Sequence, residues 1–163
     1  NLIKTFIGVQ LQTSGYYPNL NLTELIQLFN GLYNQSVEPL TLLDKVNLRD
    51  KARSKYKQLS GGQKQRFSIA TTLINRPKII FLDEPTTGLD PQARRSLWQM
   101  IKEIRALGTT VILTTHYMDE AEELCDRVAI IDSGRIIALD SPDRLIDQLV
   151  SSGFERQIGR AHV

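Results

Sequence analysis

Cysteine occurs once in the 163 residues, at Cys125. A single thiol makes no disulfide framework and no thiolate metal site, so a reduced, intracellular setting is the default. Charge of one sign is also lacking. The net charge of +2 is too near zero to argue for nucleic acid or an acidic membrane surface as partner. No apolar run approaches the roughly 20 residues that span a bilayer, and no signal-peptide pattern is present. Asn21-Leu22-Thr23 and Asn34-Gln35-Ser36 match the glycosylation triplet, but without a secretory signal both read as chance. What remains is 41% hydrophobic and 23% charged residues. That balance fits a soluble globular domain with a real core.

The two ends stand apart from the rest. Asn1 is not a methionine, and Leu2 to Val9 already reads as strand material, so the chain is expected to start inside a domain. Gln157-Ile158-Gly159-Arg160-Ala161-His162-Val163 is similar to the translation of a sequencing-library adapter, so these seven residues are expected to be read-through and no part of the fold.

The densest signal is Ile79-Ile80-Phe81-Leu82-Asp83-Glu84-Pro85-Thr86-Thr87-Gly88-Leu89-Asp90. An unbroken apolar run suits a parallel strand buried on both faces. Pro85 stops it, because proline cannot donate to a sheet ladder. Ligands of open parallel sheets sit at the carboxyl ends of the strands, where Asp83 and Glu84 stand. Adjacent acids there repel each other, so packing alone gives no reason for them. The bland alternative is a solvated strand-to-loop junction.

Taken in order, Thr5 to Gln12 reads as a strand that leads into a polar loop. Asn21 and Glu24 make a capping box for a helix with Leu25, Leu28, Phe29 and Leu32 on its apolar face, ending near Tyr33-Asn34. A second helix follows Pro39, with Leu42, Leu43 and Val46. Asp50 to Lys57 reads as a solvated, charged approach to Leu59-Ser60-Gly61-Gly62-Gln63. There Ser60 caps a helix running to about Asn75, and Gln63 completes the box. Its core face is Phe67, Ala70, Leu73 and Ile74. Two glycines in a first turn cost up to about 1 kcal/mol each against alanine. Their physical use is close approach of bare amides to an anionic ligand. A plain capping box is the bland alternative.

Asp90 and Pro91 open a helix that carries Leu97, Ile101, Ile104 and Leu107 inward and stops at Gly108. Thr110 to Thr114 reads as another buried strand, delivering Thr115 and His116 to the same sheet edge. A lone histidine is usually a satisfied surface or core residue, but its place just past a parallel strand favours a functional one. An acidic helix (Met118 to Cys125) follows, with Cys125 inward as inert packing. Strands Val128 to Ile131 and Arg135 to Leu139 flank a turn at Asp132-Ser133-Gly134. Ser141-Pro142 caps a last helix to about Leu149.

These residues together resemble the ABC ATPases. Leu59 to Gln63 resembles their signature sequence, and Ile79 to Glu84 their Walker B strand with its catalytic glutamate. Thr87-Gly88-Leu89-Asp90 is similar to the D-loop, and Thr114-Thr115-His116 to the switch-histidine loop. Ile7 to Gln12 is similar to the strand entering the Q-loop, with Gln12 as its glutamine. The likeness runs from Leu2 to Val150, and Leu20 to Tyr33 with Tyr117 to Leu139 look most like subunits of drug exporters. The family's phosphate loop, G-x-x-x-x-G-K-[ST], is not found in these residues, nor is the aromatic that stacks on adenine. The resemblance therefore implies a fragment lacking the Walker A region, inactive by itself.

The resemblance implies a P-loop NTPase α/β fold, a parallel core sheet with an inserted helical subdomain. Residues 1–14 would belong to the ATPase core and end in the Q-loop. Residues 15–76 would form the helical subdomain with the signature, and 77–150 the remaining core. Residues 151–163 would be a flexible tail. It implies catalysis by Glu84, His116 and Gln12, and Mg²⁺ held through Asp83 and Gln12. ATP contacts would come from Ser60, Gly61, Gly62, Gln63 and Asp90. The implied partners are a second ATPase subunit, identical or homologous and arranged head to tail, and a membrane-spanning permease subunit or domain. No nucleic acid is expected. The implied role is the motor of a multidrug-type exporter at the cytoplasmic face of a bacterial membrane. The competing role is a soluble ABC ATPase acting on ribosomes or DNA.

Overall fold

The computed structural model describes residues 6–10 and 15–151, with side chains described to residue 148. Gln12 and the adapter-like tail lie outside these residues. The chain falls into two compact units, 1–116 and 117–163.

In the first unit, β1 (Ile7–Gln10), β2 (Ile79–Asp83) and β3 (Thr110–Thr114) form one parallel sheet in that order. Parallel neighbours need long crossovers. The crossover from β1 to β2 holds α1 (Leu22–Tyr33), α2 (Pro39–Lys45), two short 3₁₀ turns (Arg49–Lys51 and Tyr56–Gln58) and α3 (Gly61–Thr72). The crossover from β2 to β3 is α4 (Pro91–Ala106). This is the α/β architecture with a helical insertion that the resemblance implies.

Local chemistry sets the helix ends. Asn21 caps α1 with both halves of the capping box in place, Glu24 N–H to Asn21 Oδ1 at 2.9 Å and Asn21 N–H to Glu24 Oε2 at 2.8 Å. Asn34 closes that helix in the left-handed conformation, which asparagine tolerates better than most residues. Gly108, at φ +93°, stops α4.

The second unit holds α5 (Met118–Leu124), the antiparallel pair β4 (Val128–Asp132) and β5 (Arg135–Asp140), and α6 (Pro142–Ser151). Ser133 and Gly134 both have positive φ, +48° and +74°. That is the backbone a two-residue hairpin turn needs to match strand twist.

Several expected faces are corrected. Leu28 and Leu32 do not enter the core. Leu22, Leu25 and Ile26 are fully buried while Leu32 is 70% exposed, so the inward stripe of α1 is rotated. Leu107 is 75% exposed, because α4 ends at Ala106 and the chain turns away. Helix α3 ends at Thr72, with Leu73 as its cap and only half buried. Cys125 is likewise the cap after α5, half buried. Strands β2 and β3 are not buried on both faces. Ile80 and Leu82 are buried, but the in-register row Val9, Phe81, Ile112 on the other face is open. Within the first unit, then, the described residues bury one face of the β2 strand and leave this row exposed.

Backbone meets backbone where β1 crosses α3. A Cβ on Gly8 would lie 2.7 Å from the Thr72 carbonyl oxygen. Gly8→Ala should therefore cost about 1–3 kcal/mol by overpacking. Gly31, inside α1 with nothing within 4 Å of its would-be Cβ, provides the contrast. Gly31→Ala should stabilise by up to about 1 kcal/mol through helix propensity. Urea melts of both variants check the opposite signs.

Candidate functional site

The carboxyl ends of β2 and β3 bring Asp83, Glu84 and His116 to one edge. Asp83 and Thr114 are partners in the parallel register, and the Thr114 hydroxyl donates to Asp83 Oδ1. The same hydroxyl accepts from the Glu84 N–H at 3.2 Å, which also reaches the Thr114 carbonyl oxygen at 3.1 Å. Thr114 thus ties the two acids together, one by its side chain and the other by its backbone.

Glu84 has φ +46°. A non-glycine residue in the left-handed region is strained, and such strain collects at functional sites. The strain re-aims the side chain at the point where the strand ends. Glu84 Oε1 lies 3.3 Å from His116 Nδ1, and Glu84 Oε2 accepts the Thr87 hydroxyl at 3.1 Å. The Thr87 N–H closes the turn onto the Glu84 carbonyl at 3.2 Å. Both carboxylate oxygens are therefore oriented, and the carboxylate still meets solvent. The side chains of His116 and Glu84 are 54% and 29% exposed.

The first turn of α3 presents different chemistry. Ser60 Oγ accepts from Gln63 N–H at 3.3 Å, and Gln63 Oε1 accepts from Ser60 N–H at 2.9 Å. The capping box is real, and it occupies Ser60 Oγ and Gln63 Oε1. The amides of Gly61 and Gly62 belong to the first turn, where a helix has no internal acceptors for them. Gly61 has open space around it, but a Cβ on Gly62 would meet Ala93 Cβ at 3.3 Å. Gly62 therefore also has a packing reason: α3 starts hard against the start of α4. Asp90 is likewise occupied as a cap, its Oδ1 accepting from Gln92 and Ala93 N–H at 3.0 Å each.

Among the described residues, no three His, Cys, Asp or Glu side chains gather to hold a metal. Asp83 is an exposed oxygen donor at a strand end, which suits a hard cation that keeps several waters. Two residues of the cluster were missed as participants by sequence reasoning, Thr87 and Thr114. Their signals were available in principle. Thr114 ends a strand in parallel register with Asp83, and Thr87 lies three residues after Glu84 across a turn.

The model of the family described as "ABC transporter" matches residues 2–87. A Nod factor export ATP-binding protein I from Rhizobium etli is 40% identical over 154 residues, covering 91% of this chain and 49% of that protein. The protein of the same name from Burkholderia orbicola is 40% identical over 146 residues, covering 86% of this chain and 48% of its own length. The chain thus spans about half the length of the curated relatives it matches. A solved ATP-binding cassette of an ABC transporter superposes with a TM-score of 0.77 at 23% identity, over 93% of this chain and 68% of that one. At that identity the superposition speaks for the fold.

Proposed function

The chain belongs to the ABC transporter family, and from that premise we propose that it binds and hydrolyses ATP as part of the motor of a membrane exporter. The observation that carries the reading is the 3.3 Å contact between Glu84 and His116 beside Asp83. An acid and a histidine meeting at the carboxyl edge of a parallel sheet suit in-line attack of water on a phosphate, which is mostly positioning and charge stabilisation.

In this reading Glu84 takes the proton of the attacking water. Thr87 and His116 hold its two oxygens in place, and His116 also orients the γ-phosphate. Asp83 and Gln12 are the residues that would hold Mg²⁺. When bound, the ion neutralises charge on the β- and γ-phosphates. Ser60, Gly61, Gly62 and Gln63 offer the positive end of α3 to phosphate, and Asp90 sets the start of α4 against that turn. Residues 15–76 act as the helical subdomain, carried on the ATPase core of residues 1–14 and 77–150. A second ATPase copy and a membrane-spanning permease complete the machine at the cytoplasmic face.

Relatives named for Nod factor export support export as the direction. The multidrug class rests on the likeness of residues 20–33 and 117–139 to drug-exporter subunits. The test is phosphate release from ATP by the full-length protein that carries this chain, with and without its membrane partner. Mg²⁺-dependent release that the membrane partner stimulates is expected, and chelation should abolish it. ATP binding with no release would overturn the enzyme reading. Release stimulated by ribosomes or DNA instead would favour the soluble role.

A further inference from the structure

Helix α3 is anchored unevenly. Residues 67–72 are buried, whereas residues 61–66 are exposed or half buried. The anchored end touches β1, through Gly8 and Thr72, and it touches Tyr16, a residue outside the motifs. The Tyr16 ring stands edge-on to Phe67 of α3 at 5.4 Å and to Phe29 of α1 at 5.9 Å. It also meets Tyr56, just ahead of the signature, at 4.7 Å. Its hydroxyl lies 2.7 Å from Thr71 Oγ1 and 3.5 Å from Ser68 Oγ. The Thr71 hydroxyl is itself spent on the Ser68 carbonyl at 2.7 Å. Tyr16 is therefore the donor to Thr71.

Ring packing alone would be served by phenylalanine. The hydroxyl adds a directional link between the chain segment at Tyr16 and the buried face of α3. Burial, with Tyr16 adding to it, pushes the Tyr56 phenol up to about 12, so that neighbour stays neutral and brings no competing charge.

We propose that Tyr16 is a positioning residue for the first turn of α3, setting the direction in which Gly61 and Gly62 present their amides through its bond to Thr71. The proposal rests on the functional reading above for its consequence in turnover, and on the hydrogen bond alone for its geometry. The lever arm is long. Thr71 lies nine residues beyond Gly62, about 14 Å at 1.5 Å per residue, so a tilt of about 10° at the anchor moves the first turn by about 2 Å. Misplacing a reacting group by about 1 Å can cost on the order of 100-fold in rate. Gly62 resting against Ala93 at the start of α4 limits the tilt, so a loss of about 10-fold is expected.

The experiment uses Tyr16→Phe, Thr71→Val, the double variant and Thr71→Ser. Steady-state ATP hydrolysis by the full-length protein should show kcat down about 10-fold in each single variant, with KM for ATP within about twofold. The double variant should be no worse than either single, because both remove one bond. Thr71→Ser, which keeps the hydroxyl, should restore the rate. Amide exchange at residues 63–66 should quicken in Tyr16→Phe, while exchange in α4 stays the same. Unchanged kcat and exchange in Tyr16→Phe would overturn the proposal, as would multiplying losses in the double variant. If the wild type hydrolyses no ATP, the functional reading fails, and the exchange result still decides the positioning role.

Discussion

Replacing Glu84 with glutamine in the full-length protein should lower ATP turnover by about 10²–10⁴-fold, the usual worth of a positioned proton acceptor. ATP affinity should change little. The amide keeps the length and shape of the side chain, and its remaining oxygen can still accept the Thr87 hydroxyl that lies 3.1 Å from Glu84 Oε2. What goes is the basicity. On the proposed function, in which hydrolysis would reopen an ATP-bound dimer, a nucleotide-bound dimer should accumulate. Phosphate release, equilibrium ATP binding and size-exclusion chromatography read the three effects. Wild-type turnover in this variant would move the proton acceptor elsewhere, and His116, at 3.3 Å, would be the next suspect.

Mixing two dead variants should restore activity. The signature turn and the Glu84–His116 cluster are read as acting in trans, each ATP lying between the cluster of one copy and the α3 turn of the other. Gly61→Asp is the cleaner lesion for the turn, because nothing lies within 4 Å of a Cβ there, whereas Gly62 already crowds Ala93. An added carboxylate would repel phosphate without disturbing the fold. In a dimer pairing Gly61→Asp with Glu84→Gln, one site keeps an intact turn and an intact glutamate, and the other loses both. Random pairing makes half the dimers mixed with one live site each, so about a quarter of wild-type activity should return if each site fires alone. If no activity returns, ATP-driven crosslinking of the two variants decides, and absence of mixed dimers would sink the trans assignment.

The site was more legible than the core. Asp83, Glu84 and His116 could be placed together because each lies at the end of an apolar run, and parallel strands bring such ends to one edge. The caps at Asn21, Ser60 and Asp90 were legible for a similar reason, since capping depends on residues only a few positions apart. Inward faces were harder to read. Along α1, Leu25, Leu28, Phe29 and Leu32 make a valid stripe, yet Leu22, Leu25 and Ile26 are the ones fully buried. Helical periodicity defines a stripe only to within a residue or so, and the neighbouring helices choose its centre. Likewise, the apolar run of β2 shows that the strand suits burial on two faces. It does not show what covers each face, and Phe81 remains 38% exposed. The Tyr16–Thr71 bond, across 55 positions, has no local sequence signal at all.

The left-handed backbone of Glu84, at φ +46°, sets stability selection against chemistry at a single codon. A left-handed residue with a Cβ costs roughly 1–2 kcal/mol, a cost glycine escapes. A search for hardier variants would therefore tend to reward glycine or asparagine at this position, as stability-guided changes often do at the expense of function. Each such gain would delete the carboxylate that lies 3.3 Å from His116. Position 84 is the place where a thermostabilised library should be held fixed, and where an unexpectedly robust natural variant should first be checked for loss of activity.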